Sequence, residues 1–385
     1  MRHVAGCAST LTLHVDRLVR NTRTVASCLT PGTRLMAVVK ANAYGHGLEA
    51  TARILEPLDE VDALAVSAFR EATVLRDHGV RKAILILGPT ASNHYSRAAA
   101  EGLSLTIHQP RQIDELAGYA HKASAEALSV HLKVDTGLHR LGFAPDEIPG
   151  LLADLAHLQP VVEVSGLYSH FHSADVEDLA SAKAQLQCFG ELVTDLTRWG
   201  RRPPLCHIAN SAATLRMPEA HIDMVRVGGA LYGLSPNHEH CRLPKTIQPV
   251  LSWHTEVVQV HEVCAGTALG YGLCWQARRP SRIAVLPVGY TDGLPRTVPG
   301  VVLVRDQTVP LVGTRSMNMA FVDITDIDNP PVQPGERITL IGSDRTNALY
   351  CSRIADLEGT IEYEVTARIP ESDRILRALA GDAAA

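Results

Sequence analysis

Between about residues 30 and 235 the chain alternates short apolar runs with stretches of helical period, and no other feature constrains its fold as strongly. "ALAVSA" (63–68) is followed by "FREATVLRDHG" (69–79), where Ala72, Leu75 and His78 fall near one face and Gly79 is a helix stop. "KAILILG" (82–88) and "LSLTIH" (103–108) read as further strands. "PRQIDELAGYAHKA" (110–123) opens with proline at a first helical position. "LSVHLKVD" (128–135), "VEVSGLYSHF" (162–171), "PLCHIAN" (204–210) and "IDMVRVGGALYG" (222–233) continue the series. Seven or eight strand–helix units predict an α/β protein with an N-terminal (β/α)8 barrel of the TIM type, strands inside and helices outside.

After about residue 243 the pattern changes. "SWHTEVVQVHEV" (252–263), "RIAVLPVGY" (282–290), "VVLVRDQTVPLVG" (301–313), "MAFVDIT" (319–325) and "ERITLIG" (336–342) read as strands separated by turns, with hairpin character in "VRDQTV". Only 350–358 reads as helix in this half. A chain of 385 residues exceeds one small core, so we expect a barrel over 1–243 and a mostly β domain over 244–385. The first strand region, 9–15, can pack on the C-terminal domain. The loop-rich "PNHEHCRLPK" (236–245) marks the boundary, and the Ala-rich last residues are expected to fray.

A formal net charge of -5 gives no reason to expect nucleic acid or an anionic membrane as partner. No apolar run approaches the roughly 18 residues of a membrane span. The cysteines, Cys7, Cys28, Cys188, Cys206, Cys241, Cys264, Cys274 and Cys351, form no CxxC pair. Reduced thiols in a cytoplasmic enzyme are therefore expected. "VAGC" (4–7) imitates a lipoprotein box, but only six residues precede Cys7, against the 7–15 apolar residues a secretory signal needs.

In a barrel of this kind chemistry sits at the C-terminal ends of the strands, and five of those ends are unusually polar. Lys40 closes "MAVVK"; His131, Lys133 and Asp135 share one face of "HLKVD"; His170 and His172 close another strand. Asn210 and Ser211 follow a fourth, and Arg226, Gly228 and Gly229 follow the last. So many charges at buried strand ends need a common purpose, because unpaired burial is costly. Taken singly, Lys40 fits a salt-bridge lysine as readily as an amine tuned for Schiff-base chemistry. Arg226 alone fits an ion pair.

The segment "AVVKANAYGHG" (37–47) resembles the cofactor-lysine signature of the alanine racemases, barrel-fold enzymes that use pyridoxal phosphate (PLP). Seven further blocks match that family in order: "KVDTGLHRLGF" (133–143), "GLYSHFHSAD" (166–175), "HIANSAA" (207–213), "MVRVGGALYG" (224–233), "LGYGLCW" (269–275), "VGYTDGLPR" (288–296) and "IEYEV" (361–365). The resemblance implies that Lys40 holds PLP and serves as one acid–base group in exchanging L- and D-alanine. Tyr271, lent by the second subunit of a homodimer, is implied as the opposing base, with His170 as its partner. A phenol needs such help, since its ordinary pKa is near 10.

Arg226 is implied to face the pyridine nitrogen of PLP. A guanidinium does not give up its proton, so the cofactor would be a weak electron sink that favours racemisation over transamination. Ser211, Gly228 and Gly229, with the hydroxyls of Tyr44 and Tyr363, are implied to bind phosphate. Arg140 would meet the substrate carboxylate, aided by the Met317 backbone. Lys133 matches a position often carbamylated in the family, and Asp175, Tyr290 and Arg296 match the entrance lining. Tyr363 would narrow the pocket toward alanine.

The segment "GTRSMNM" (313–319) departs from the family: Thr314 replaces an arginine, Arg315 follows one step late, and Asn318 replaces an acid. Those positions are expected at the entrance and partner surface, which leaves a serine or broad-specificity racemase as an alternative. "HFH" (170–172) with a modifiable Lys133 is also similar to two-zinc barrel hydrolases, but there the HxH pair precedes the lysine. A PLP-binding regulatory protein would need no second domain carrying a base.

Overall fold

The computed structural model describes residues 9–122, 126–297, 300–305, 307–342, 349 and 351–370, and the strand at 375–379. "VAGC" and the Ala-rich tail lie outside the described residues. A first strand, β1 (Ser9–His14), precedes eight parallel strands: β2 (Arg34–Val38), β3 (Ala63–Val66), β4 (Ala83–Ile86), β5 (Leu103–Ile107), β6 (Leu128–Lys133), β7 (Val162–Tyr168), β8 (Leu205–His207) and β9 (Met224–Val227). They form one sheet in the order β8-β7-β6-β5-β4-β3-β2-β9. Backbone bonds from Asp223 N–H to Cys206 O (3.3 Å) and from Arg226 N–H to Ala209 O (3.0 Å) join its edges into a barrel.

The inner face follows from the two-residue period of a strand. Met36 and Val38, Ala63 and Ala65, Leu85, and Met224 form one buried apolar layer inside the barrel. Two residues further along the same faces stand Lys40, Ser67, Leu87 and Arg226, all lining the cavity above that layer. The strand-end groups are thus the top of the barrel's interior, held up by a packed floor.

A second, nine-stranded sheet follows, built from β10 (Leu251–Glu256), β11 (Gln259–Val263), β14 (Ser281–Leu286), β15 (Val301–Val304), β16 (Gln307–Val312), β17 (Ala320–Asp323), β18 (Arg337–Ile341) and β19 (Ile375–Leu379), together with β1. A small hairpin of β12 (Ala268–Leu269) and β13 (Trp275–Gln276) stands apart from it. β1 pairs antiparallel with β10 and parallel with β19, so residues 9–14 belong to this sheet.

Three local expectations need correction. The 252–263 run is two strands, β10 and β11, with Val257 bonded instead to Gly335 and Glu336. His78 is exposed: the helix ends at Asp77, and Gly79 follows with φ +82. A helix at Glu362–Ala367 also follows the one at Cys351–Glu358. It reaches back to the barrel, where Glu362 Oε2 accepts the Ser235 N–H at 2.9 Å.

Candidate active site

A cavity of about 760 Å³ opens at the C-terminal ends of the barrel strands. Lys40, Tyr44, Lys133, Arg140, His170, Asp175, Ser211, Arg226, Gly228 and Tyr363 of the expected set line it, and Gly229 adjoins Gly228. Two lysines and two arginines stand in its wall against the carboxylates of Asp175 and Glu364.

Lys40 ends β2 and opens an unusual turn. Ala41, Asn42, Ala43 and Tyr44 all take left-handed angles, φ 53 to 55, which costs about 1–2 kcal/mol for each non-glycine residue. Hydrogen bonds hold the turn: Ala43 N–H to Val39 O (2.9 Å), Gly45 N–H to Ala41 O (3.1 Å) and Gly47 N–H to Asn42 O (3.0 Å). Asn42 Oδ1 also accepts the Leu48 N–H at 2.7 Å. Gly45 lies against the second domain: a Cβ there would stand 2.0 Å from Thr366 O. Burial lowers the Lys40 pKa, Arg140 and Arg226 lower it further, and Glu71 opposes them.

Arg226 is 4% exposed and is hydrogen-bonded through both terminal nitrogens of its guanidinium. It donates to Ser169 O (2.7 Å), Ile208 O (3.2 Å), His207 Nδ1 (2.7 Å) and His170 Nδ1 (3.1 Å). A guanidinium accepts nothing, so both imidazoles present a bare Nδ1 and carry their proton on Nε2. His207 Nε2–H then donates to His131 Nδ1 at 3.0 Å. Burial and then Arg226 hold all three histidines low, His131 at about 4, so they stay neutral. Burial brings Arg226 down to about 10, below the ordinary guanidinium value yet protonated at neutral pH.

Tyr168, which the sequence reading passed over, is the plate beneath these groups. Its ring stacks on His207 at 5.0 Å and 4°, with Lys133 Nζ 4.9 Å and the Arg226 guanidinium 5.0 Å from its centre. Its hydroxyl donates to Thr106 Oγ1 (2.9 Å), which donates to Ile86 O (2.7 Å). Lys133 is 6% exposed, and burial, with Arg226 and Arg140, brings its ammonium down to about 7.

The opposite wall is aromatic. Tyr44 meets Tyr363 edge-on at 5.4 Å and Tyr232 at 5.2 Å. A Cβ on Gly228 would stand 2.5 Å from the Tyr44 hydroxyl, and one on Gly229 2.2 Å from the Tyr363 ring. Both glycines are therefore required by close approach, and both rings bring hydroxyl groups to the cavity. Ser211 opens a short helix, Ser211–Arg216, and its Oγ accepts the Gly228 N–H at 3.1 Å. Cations, hydroxyls and backbone N–H groups form a donor set suited to a phosphorylated, anionic cofactor.

Besides Gly229, four expected residues do not line this cavity. Tyr271, 68% exposed, sits in the β12–β13 hairpin, and Met317, 56% exposed, lies with Tyr290 and Arg296 on the surface of the second domain. Met317 O accepts the Thr291 N–H (3.0 Å) and hydroxyl (2.8 Å), and Asn318 Nδ2 donates to Thr291 Oγ1 (2.8 Å). The expectation for "TRSMN" is corrected in part. Thr314 and Arg315 are buried, and Arg315 turns inward beside Glu358 and Arg368; of the three departures Asn318 alone is exposed.

Residues 13–236 match the alanine racemase N-terminal domain and residues 250–378 the alanine racemase C-terminal domain. The chain belongs to the alanine racemase family. The alanine racemase of Sorangium cellulosum is 37% identical over 369 residues, 93% of this chain and 95% of that protein. That of Desulfosudis oleivorans is 37% identical over 374 residues, 93% and 94% of the two chains. Among solved structures, the alanine racemase of a D-cycloserine-producing Streptomyces lavendulae superposes with a TM-score of 0.89 at 30% identity, covering 98% of each chain. The Bacillus anthracis alanine racemase with bound L-Ala-P gives 0.87 at 31% identity, covering 94% of this chain and 93% of its own. This racemase is accordingly an isomerase of alanine from a PLP-dependent family. Among its described residues no group of three or more His, Cys, Asp or Glu could hold a metal ion, and the "HFH" rings are bonded to Arg226 and Ser173.

Proposed function

We propose that the chain interconverts L- and D-alanine with PLP carried on Lys40, by proton transfer between Lys40 and Tyr271 of the partner subunit. PLP, when bound, supplies a conjugated ring that draws electrons from the substrate α-carbon. Lys40 would hold its aldehyde carbon. Ser211, Gly228, Gly229, Tyr44 and Tyr363 would hold the phosphate, and Arg226 would meet the ring nitrogen. Arg226 keeps its own proton at neutral pH and has none to lend, which favours racemisation over transamination. Arg140 and the Met317 backbone would take the substrate carboxylate.

One arrangement carries this reading. Lys40 lies in a cation-rich cavity, while Tyr271, an exposed phenol of the same chain, stands outside it. Tyr271, Leu273, Met317 and Met319 are all exposed on the second domain, which suits burial against a second copy in a homodimer. His170, with its proton on Nε2, can donate to a phenolate oxygen but cannot accept a proton there while Arg226 holds Nδ1. It therefore acts by stabilising ionised Tyr271 rather than by deprotonating it. Asp175, Tyr290 and Arg296 would border the entrance, and Tyr363 would limit side-chain size.

The working division is a barrel of 1–243 and a second domain of 244–385, with the first strand given to the latter. We assign the enzyme to the cytoplasm, with D-alanine for peptidoglycan precursors as its product. No helix among the described residues is long and apolar enough to cross a membrane. Co-expression of Lys40→Ala with Tyr271→Phe tests the shared site. Each variant alone should be inactive or directionally crippled, while mixed dimers regain one intact site. No gain over either parent, with dimers present, would refute the two-chain assignment.

A further inference from the structure

The left-handed turn that aims Lys40 has a clamp outside the family blocks read from the sequence. Glu71 lies in the first turn of the helix Phe69–Asp77, directly after β3. Its Oε1 accepts the Ala41 N–H at 2.7 Å, the amide next to Lys40. Its Oε2 accepts the Ser67 and Ala68 N–H groups at 2.8 and 3.0 Å. One carboxylate thus ties together the chain leaving β2 and the chain leaving β3, at the rim where Lys40 and Ser67 line the cavity.

The same carboxylate matters electrically. The groups acting on the Lys40 amine are Arg140 from the loop after β6, Arg226 from β9 and Glu71; His170, also nearby, is held neutral. Burial and the two arginines disfavour the ammonium, and Glu71 favours it. A base that must both accept and return a proton cannot be left permanently neutral.

We propose that Glu71 is a positioning residue for Lys40, pinning the turn that aims its amine and supplying the carboxylate charge that offsets the arginines around it. This rests on Lys40 being the cofactor lysine and base. Arg76, on the same helix, points elsewhere, donating to the carbonyls of Val80, Lys82, Glu101 and Gly102.

Two measurements on cofactor-free protein test it. Competitive acylation across pH, read by mass spectrometry with exposed Lys183 as reference, gives the titration midpoint of Lys40. Glu71→Gln should lower that midpoint by about 0.5–1 pH units, the scale of one neighbouring charge at a solvated rim. Amide hydrogen exchange reads the clamp: Glu71→Ala should speed exchange at Ala41, Ser67 and Ala68 at least tenfold. If the alanine variant does not fold, Glu71→Gln serves here too, because one carboxamide oxygen cannot receive both sets of N–H groups. A Lys40 midpoint unchanged in the glutamine variant, or wild-type exchange at all three amides, overturns the proposal. Borohydride fixation of PLP on the wild type is read separately: label on a lysine other than Lys40 refutes the parent reading, whatever Glu71 does.

Discussion

Lys133 provides a quantitative test of the electrostatics in this cavity. Its ammonium is held at about 7 against an ordinary value of 10.5, first by burial and then by Arg226 and Arg140. At about 1.4 kcal/mol per pH unit, the difference amounts to about 5 kcal/mol. Below about pH 7 both folded and unfolded chains carry the proton, and the folded state bears the whole cost of the buried charge. Between about 7 and 10.5 the folded amine is neutral while the unfolded one is still protonated, so stability rises with pH. Lys133→Met removes the group from both states and leaves its packing change independent of pH. The margin by which the variant exceeds wild type should therefore shrink by about 2 kcal/mol from pH 7 to pH 9. Urea unfolding at matched ionic strength in bicarbonate-free buffer measures it. Parallel stability curves would refute a neutral Lys133. The same neutral amine is the form that reacts with carbon dioxide, so bicarbonate should add one carboxyl mass to wild type and none to the variant.

Two further outcomes follow from the close contacts. Gly45→Ala sets a side chain at φ +83 against Thr366 O and should cost about 2–5 kcal/mol in chemical denaturation; a loss below about 1 kcal/mol would contradict the contact. Arg226→Leu strips donors from His207, His170 and two carbonyls and should cost about 2–5 kcal/mol. Arg226→Glu should raise transamination relative to racemisation, and an unchanged ratio in a product assay would contradict the role given to its retained proton.

The barrel was legible because its strands are short, apolar and regularly spaced, and the period-2 rule carried Lys40 and Arg226 to its inner rim. The left-handed turn was not legible, since Ala41 to Tyr44 are ordinary residues whose angles are set by Glu71, Asn42 and the opposing Thr366 carbonyl. The helix carrying Tyr363 escaped for a related reason. "IEYEVTA" contains β-branched and aromatic residues that do not favour helix, and its Glu362 is held in place by Ser235, far away in sequence. Arg315 was expected at the entrance because the family pattern places its segment there, yet Glu358 gives it an interior counter-charge. Glu71 did carry a readable signal, a glutamate in the third helical position where side chains reach back to the preceding amides.

The ladder between β1 and β10 pairs Ser9 with Thr255 and Leu13 with Leu251. A segment made before the barrel strands therefore waits for partners made more than two hundred residues later, and the parallel neighbour β19 arrives later still. The eight-stranded sheet, whose neighbours mostly follow one another along the chain, can assemble while that early segment hangs loose. Contacts so distant in sequence form slowly, so the hairpin bearing Tyr271 joins a nascent molecule whose barrel strands have already paired, while the Thr366 carbonyl that backs the Lys40 turn is still to come. Catalytic competence should then lag behind barrel formation, emerging only as the last strands close the second sheet.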